Sequence, residues 1–168
     1  PQGQVVFPRK LTTAYSLFTL LQQQPAKSLF TRYDNIIPML INGEADCGVI
    51  IHESRFSYQS LGLHCVLDLG VWWEKQTGLP LPLGCAVIKH ELYDNYGVLF
   101  EQLLQQICTE PVSPALKTYI HQHAREMDSA MIEAHIQLYV NEFTRSLGEQ
   151  GRQAIAALAE QSFKVGQI

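Results

Sequence analysis

Two kinds of hydrophobic spacing divide the chain near residue 90. Before it, short continuous apolar runs alternate with stretches whose apolar residues return every three or four positions. Gln4–Phe7 (QVVF) is β-rich. Thr12–Gln23 then predicts a helix, with Tyr15, Phe18 and Leu21 or Gln22 at helical spacing and Thr12 or Thr13 as the capping hydroxyl. Ser28–Arg32 is the next strand candidate, and Asn35–Asn42 a short helix stopped by Gly43. Cys47–Ile51 (CGVII) is continuously apolar and rich in β-branching, which predicts a strand buried on both faces. Leu63–Leu67 predicts another strand, Val71–Gln76 a short helix and Ala86–Lys89 a further strand.

That β-α-β-α-β order predicts an α/β lobe with a mostly parallel sheet flanked by helices. After His90 only helical spacing remains, over Tyr93–Cys108, Ser113–Arg125, Asp128–Phe143 and Glu149–Phe163. Asp128 and Ser129 suit a helix start, and Pro111 and Pro114 break the chain before another helix. The expected organisation is therefore an α/β lobe over residues 1–90, carrying the candidate cleft residues, and a helical segment over 91–168.

Composition narrows this picture modestly. Hydrophobic residues make up 46% and charged ones 17% of the 168, as in ordinary globular domains. A formal net charge of -4, with no basic run, argues against a nucleic-acid surface. No apolar run is long enough for a membrane span. The opening PQGQVVFPRK lacks the basic start and apolar stretch of a secretory signal. With no initiator Met and a strand beginning at once, further chain is expected upstream. None of Cys47, Cys65, Cys85 and Cys108 forms a C-x-x-C pair, and the first three lie in strand-like sequence. Reduced, buried thiols of a cytoplasmic protein are expected.

In parallel α/β sheets ligands sit beyond the carboxyl ends of the strands, and two polar segments arrive there. The first leads from Arg9 and Lys10 to Thr12, Thr13 and Ala14. Hydroxyls and open N–H groups at a helix start suit a carboxylate or phosphate, although a helix cap alone would use the same residues. The second is His52-Glu53-Ser54-Arg55. Histidine as a residue type suits proton removal near neutral pH, so an imidazole directly after a buried strand can act as a base, or can serve only as a hydrogen-bonding cap. Glu53 could orient it or pair with Arg55. Trp72 and Trp73 could fill the core or wall a flat aromatic ligand, and the proline-rich LPLPLG that follows fixes a rigid approach to residue 86. His64, His90, His121, His123 and His135 read as structural or solvated. No metal or nucleotide motif is present, so no cofactor is expected.

Taken together, "IIHESRF" and "DLGVWWEKQTGLPLPLG", with "TTAYSLF", "RYDNIIPML" and "AHIQLYVNEF", closely resemble the 1,4-dihydroxy-6-naphthoate synthases of the futalosine pathway of menaquinone biosynthesis. The resemblance runs along nearly the whole chain. It implies a type II periplasmic-binding-protein-like fold with two α/β lobes, of which this chain resembles the second lobe and C-terminal helices. It also implies a cytoplasmic carbon–carbon lyase that converts cyclic dehypoxanthine futalosine to 1,4-dihydroxy-6-naphthoate, with His52 as the base and Thr12 and Thr13 beside a bound carboxylate. Glu53, Ser54, Arg55, Trp72 and Trp73 are further candidates to line the cleft. The family's N-terminal segment, most of the first lobe, has no counterpart here, so a homodimer or association with a first-lobe segment is the expected partnership. Chorismate dehydratase on the same fold, or an anion-binding protein without catalysis, are the rival readings.

Overall fold

The structure, a computed structural model, describes residues 3–22, 27–109, 113–123 and 129–166. Val5, Val6 and Phe7, three consecutive residues of strand β1 (Gln4–Phe7), are completely buried. Because side chains alternate across a strand, such burial requires cover on both faces. β1 is the middle strand of a three-stranded parallel sheet, with β2 (Lys27–Phe30) on one side and β3 (Cys47–Gly48) on the other. Helix α1 (Thr13–Leu21) joins β1 to β2, and α2 (Ile36–Ile41) joins β2 to β3. Right-handed crossovers in opposite directions along a sheet place their helices on opposite faces. Accordingly Ala14, Tyr15 and Phe18 pack on the Val5–Phe7 face, whereas Ile36, Met39 and Leu40 pack on the Val6 face. Phe7 meets Tyr15 and Phe18 edge-on, with ring centroids 4.9 and 5.0 Å apart.

The predicted strand Cys47–Ile51 enters the ladder only at its first two residues. Its further course still follows the sheet. The Val49 N–H donates to the Val6 carbonyl at 2.9 Å, Val49 and Ile51 pack with Phe7, and Ile50 packs with Val6. The apolar run is thus covered on alternate sides, as its composition predicts. Gly48 marks the closest approach of α2: a Cβ there would lie 2.7 Å from Ile36 Cγ2 and 3.0 Å from Leu40 Cδ1.

Two predicted strands do not form. Among the described residues, Leu63–Leu67 and Ala86–Lys89 contain no strand, and the sheet has three strands rather than five. Leu63–Leu67 is an irregular segment between the 3-10 turn Tyr58–Leu61 and helix α3 (Leu69–Thr77). Ala86–Lys89 precedes helix α4 (His90–Thr109), whose first residue, His90, is not at a strand end. Val66 and Val87 are 88% and 84% exposed, so their β-branching reflects no sheet face. A strand needs a neighbour to take its backbone hydrogen bonds, which local apolarity cannot provide. The cysteines on these segments, Cys65 and Cys85, are consequently exposed, which corrects the expectation of buried thiols. Cys47 and Cys108 are half-buried, and all four are free.

The helices α5 (Pro114–His123), α6 (Ser129–Tyr139), α7 (Glu142–Arg145) and α8 (Gly148–Lys164) follow. The predicted helix ends Gln23, Arg125 and Asp128, together with Pro111, lie outside the described residues. The helix predicted to continue to Phe143 is divided in two. Asn141 caps α7, accepting the Phe143 N–H at 3.0 Å, while its own N–H donates to the Thr144 hydroxyl at 3.2 Å. This reciprocal cap starts a new helix inside the apolar periodicity.

The chain forms two compact units, residues 1–82 with 153–168, and residues 83–152. In the second unit α4 has distinct sides. Gly97 is buried and Phe100, Leu104 and Cys108 are half-buried; the Arg145 Nε of α7 donates to the Cys108 carbonyl at 3.1 Å. Leu92, Tyr96, Leu99 and Leu103 form an exposed stripe, while Glu91, Asp94 and Glu101 lie elsewhere around the helix. Among the described residues no helix is long and apolar enough to cross a membrane.

Gly48→Ala is expected to destabilise the first unit by about 1–3 kcal/mol, since Ile36 and the sheet must separate to admit the methyl group; the shift in denaturant midpoint measures this. In the second unit, the Tyr93 hydroxyl donates to Glu101 Oε1 at 2.7 Å, and that hydrogen bond, reinforced by the carboxylate charge, raises the phenol above its ordinary range. The bond's contribution is present below the ordinary phenol pKa and fades as pH rises through the elevated one. Glu101→Gln is expected to lower the Tyr93 titration midpoint, read from tyrosinate absorbance.

Candidate functional site

The strand order β2-β1-β3 places the carboxyl ends of the parallel strands β1 and β3 side by side. Parallel α/β sheets bind ligands beyond the carboxyl ends of their strands. Both polar segments singled out from the sequence emerge there.

From β1 the chain reaches Thr12, in extended conformation (φ -134°, ψ 147°), as the N-cap of α1. Its hydroxyl accepts the Tyr15 N–H at 3.2 Å and donates to the Arg9 carbonyl at 3.1 Å. Its single donor hydrogen is therefore used within the protein, and the lone pair left over cannot donate to an anion. Thr13 is the first helical residue and is half-buried. Its hydroxyl, and the N–H groups of Thr13 and Ala14, have no partner among the described residues. An α-helix leaves such N–H groups open in its first turn, with a positive local potential.

From β3 the chain runs through Val49–Ile51 to His52, which is half-buried and extended (φ -119°, ψ -167°). His52 starts the 3-10 turn Glu53–Phe56, and its carbonyl accepts the Arg55 N–H at 3.0 Å. Its imidazole lies against the ring of Tyr33, with centroids 4.0 Å apart and planes tilted by 47°. Tyr33 belongs to the 3-10 turn Tyr33–Asn35, just beyond β2. That turn is pinned on both sides of Tyr33: Arg32 and Asp34 form a two-point ion pair, and the Asn35 N–H donates to the Arg32 carbonyl at 3.0 Å. The hydrogen bonds that Arg32 donates to Asp34, with the carboxylate's charge, raise the guanidinium pKa still further. The ends of all three strands thus supply a candidate: Thr12 and Thr13 after β1, Tyr33 after β2, and His52 after β3.

Arg55 extends the site toward α3. Its Nη2 donates to Asp68 Oδ2 at 3.2 Å, and its guanidinium lies 5.6 Å from the Phe56 ring centroid. The other Asp68 oxygen, Oδ1, caps α3 by accepting the N–H groups of Gly70 and Val71 at 2.9 and 3.1 Å. One carboxylate therefore ties the turn that begins at His52 to the start of a helix. Ser54 is half-buried, its carbonyl accepting the Ser57 N–H at 3.1 Å. The side chain of Glu53 lies outside the described part of the structure. Trp73, 1% exposed, sits in the core with its indole N–H donating to the Pro80 carbonyl at 3.3 Å. Trp72 is half-buried.

The other histidines stand apart. His90 is exposed with its Nδ1 3.5 Å from Asp94, His64 is exposed, and His123 stacks on Tyr119 at 4.0 Å. The side chains of His121 and His135 lie outside the described residues. Among the described residues no three His, Cys, Asp or Glu side chains form a group able to hold a metal.

Tyr33 and Asp68 do not stand out in the sequence. An Asp two and three residues before backbone groups it can cap is a legible helix-start signal. Its link to Arg55 spans thirteen positions and leaves no local trace. Tyr33 reaches His52 across the sheet, from the end of a different strand.

A family model described as menaquinone biosynthesis matches residues 1–164. A Thermus thermophilus protein named 1,4-dihydroxy-6-naphtoate synthase is 41% identical over 158 residues, which cover 92% of this chain and 57% of that protein. A Streptomyces coelicolor protein of the same name is 35% identical over 173 residues, covering 98% of this chain and 61% of that protein. The chain thus spans less than two thirds of the length of these curated relatives. An X-ray structure of a protein from Archaeoglobus fulgidus superimposes with a TM-score of 0.83 at 27% identity, over 99% of this chain and 64% of that one. With a match that runs from the first residue of the chain nearly to the last, on a small parallel sheet surrounded by helices, the chain belongs to the menaquinone biosynthesis family.

Proposed function

We propose that this chain carries the acid–base half of a 1,4-dihydroxy-6-naphthoate synthase, a cytoplasmic carbon–carbon lyase acting on cyclic dehypoxanthine futalosine, built as one lobe of a type II periplasmic-binding-protein-like fold. The observation that carries this reading is that the start of α1 and His52 follow the carboxyl ends of two adjacent parallel strands, β1 and β3. The names of the longer relatives support the same assignment.

In this reading the substrate carboxylate docks at the first turn of α1. Thr12 shapes the turn by capping it, which leaves the Thr13 hydroxyl and the open N–H groups of Thr13 and Ala14 to donate to the anion. His52 removes a proton made acidic by a neighbouring carbonyl. The electron pair left behind drives cleavage of the carbon–carbon bond, releases a three-carbon fragment and ends in the aromatic naphthoate. Aromatisation supplies much of the driving force, so the scheme calls on no redox cofactor. Arg55, paired with Asp68, Ser54 and the half-buried Trp72 complete the candidate lining.

His52→Ala is expected to abolish formation of 1,4-dihydroxy-6-naphthoate while leaving the thermal unfolding profile intact, measured on the protein as it occurs in the cell. Turnover near the wild-type rate would remove His52 as the base, and product identity by mass spectrometry separates this reaction from chorismate dehydration. The two threonines should respond differently. Thr13→Val is expected to weaken substrate binding about 10-fold or more, the loss of a hydrogen bond to a charged group. Thr12→Ala is expected to cost about 1 kcal/mol of stability through loss of the cap. Equal binding defects in the two variants, with no stability difference, would contradict this division of roles.

A further inference from the structure

We propose that Tyr33 is the positioning residue of His52: its ring holds the imidazole in the orientation that proton abstraction needs. The inference rests on the reading of His52 as the base. The main chain of His52 is anchored through the Glu53–Phe56 turn, and beyond it through Arg55 and Asp68 to α3. Anchoring the main chain does not fix a side chain, because an imidazole turns about two further bonds. The contact with Tyr33 supplies one such restraint. A centroid separation of 4.0 Å is closer than the roughly 4.5–7 Å usual for aromatic pairs, and places the Tyr33 ring directly against the imidazole.

Core packing does not account for Tyr33. It is 42% exposed and belongs to neither of the two buried clusters on the sheet faces. Its turn is nevertheless fixed on both sides, by the Arg32–Asp34 ion pair and by the Asn35 N–H on the Arg32 carbonyl. A half-exposed ring on a pinned turn, closed against a candidate base from another strand, is suited to setting direction. General-base catalysis requires hydrogen-bond reach to the proton, and supporting residues must hold the base to within about 0.5 Å and 10–20°.

Three variants test this: Tyr33→Ala, Tyr33→Phe and Tyr33→Leu. Because Tyr33 is partly exposed and outside the core, the fold is expected to tolerate all three, checked by thermal unfolding. Tyr33→Ala is expected to lower kcat roughly 10- to 100-fold with KM little changed, the scale of a misplaced catalytic group. Tyr33→Phe keeps the ring and is expected to retain kcat within a few-fold; Tyr33→Leu, bulky but not aromatic, should fall between. An NMR readout accompanies the kinetics. The His52 ring protons, shifted by the Tyr33 ring current in the wild type, are expected to return toward free-imidazole positions in Tyr33→Ala and Tyr33→Leu, and to stay shifted in Tyr33→Phe. Unchanged His52 shifts in Tyr33→Ala, or a lost shift with wild-type kcat, would overturn the proposal. An active His52→Ala protein would overturn the base assignment and with it the catalytic purpose of the contact, while the ring shifts would still report whether Tyr33 holds the imidazole.

Discussion

Burial of β1 on both faces is the constraint from which the first unit follows. Val5 and Phe7 look to one side of the sheet and Val6 to the other, and none is reached by solvent. Each face needs its own helix, and parallel neighbours can be reached only by crossovers long enough to contain one. The chain meets both needs at once, since the segments that supply β2 and β3 also supply α1 and α2. Adjacent β1 and β3 then end at the same edge of the sheet. The candidate residues Thr12, Thr13 and His52 stand at that edge as a by-product of covering a two-faced strand.

The groups at this edge are held by local devices rather than by the core beneath them. Thr12 spends its hydroxyl on the helix it starts, and Asp68 divides its two oxygens between a helix start and Arg55. Their weights differ. A helix cap stabilises by about 1 kcal/mol, whereas the Arg55–Asp68 pair, with side chains 42% and 41% exposed, belongs with surface ion pairs of about 0–1 kcal/mol. Asp68 therefore matters to stability mainly as a cap and to the site mainly as an anchor. The same holds at Arg32 and Asp34, whose exposed pairing contributes little to folding but sets the turn that carries Tyr33.

Much of this could be read along the chain, because the responsible patterns are local. The strand at Val5–Phe7, the capped helix after Thr12, the glycine stop at Gly43 and the long helical spacing after His90 each depend on near neighbours. Leu63–Leu67 and Ala86–Lys89 mislead for the same reason: an apolar, β-branched run looks alike whether or not a partner strand accepts its hydrogen bonds. Asn141 is a milder case, a capping residue inside a periodicity that continues across it. At the site, His52 and Thr12 were legible because strand ends and helix starts are positions in sequence. Tyr33 was not, since its meaning lies in which strand end stands near which, and that is settled only when β2 and β3 assemble around β1.

The same sheet has a consequence for how the molecule comes into being. Val5 bonds with neighbours that pair it to Ser28 on one side and Cys47 on the other. No strand pair can therefore start as a hairpin, and every ladder contact waits for a distant stretch of chain to return. Such non-local topologies fold slowly compared with helical ones. Until both crossovers have closed, Val5, Val6 and Phe7 present adhesive apolar side chains beside unpaired backbone groups. Partly folded molecules of this kind are the ones that aggregate. The strand that organises the mature structure is thus left exposed during folding until both of its neighbours have paired with it.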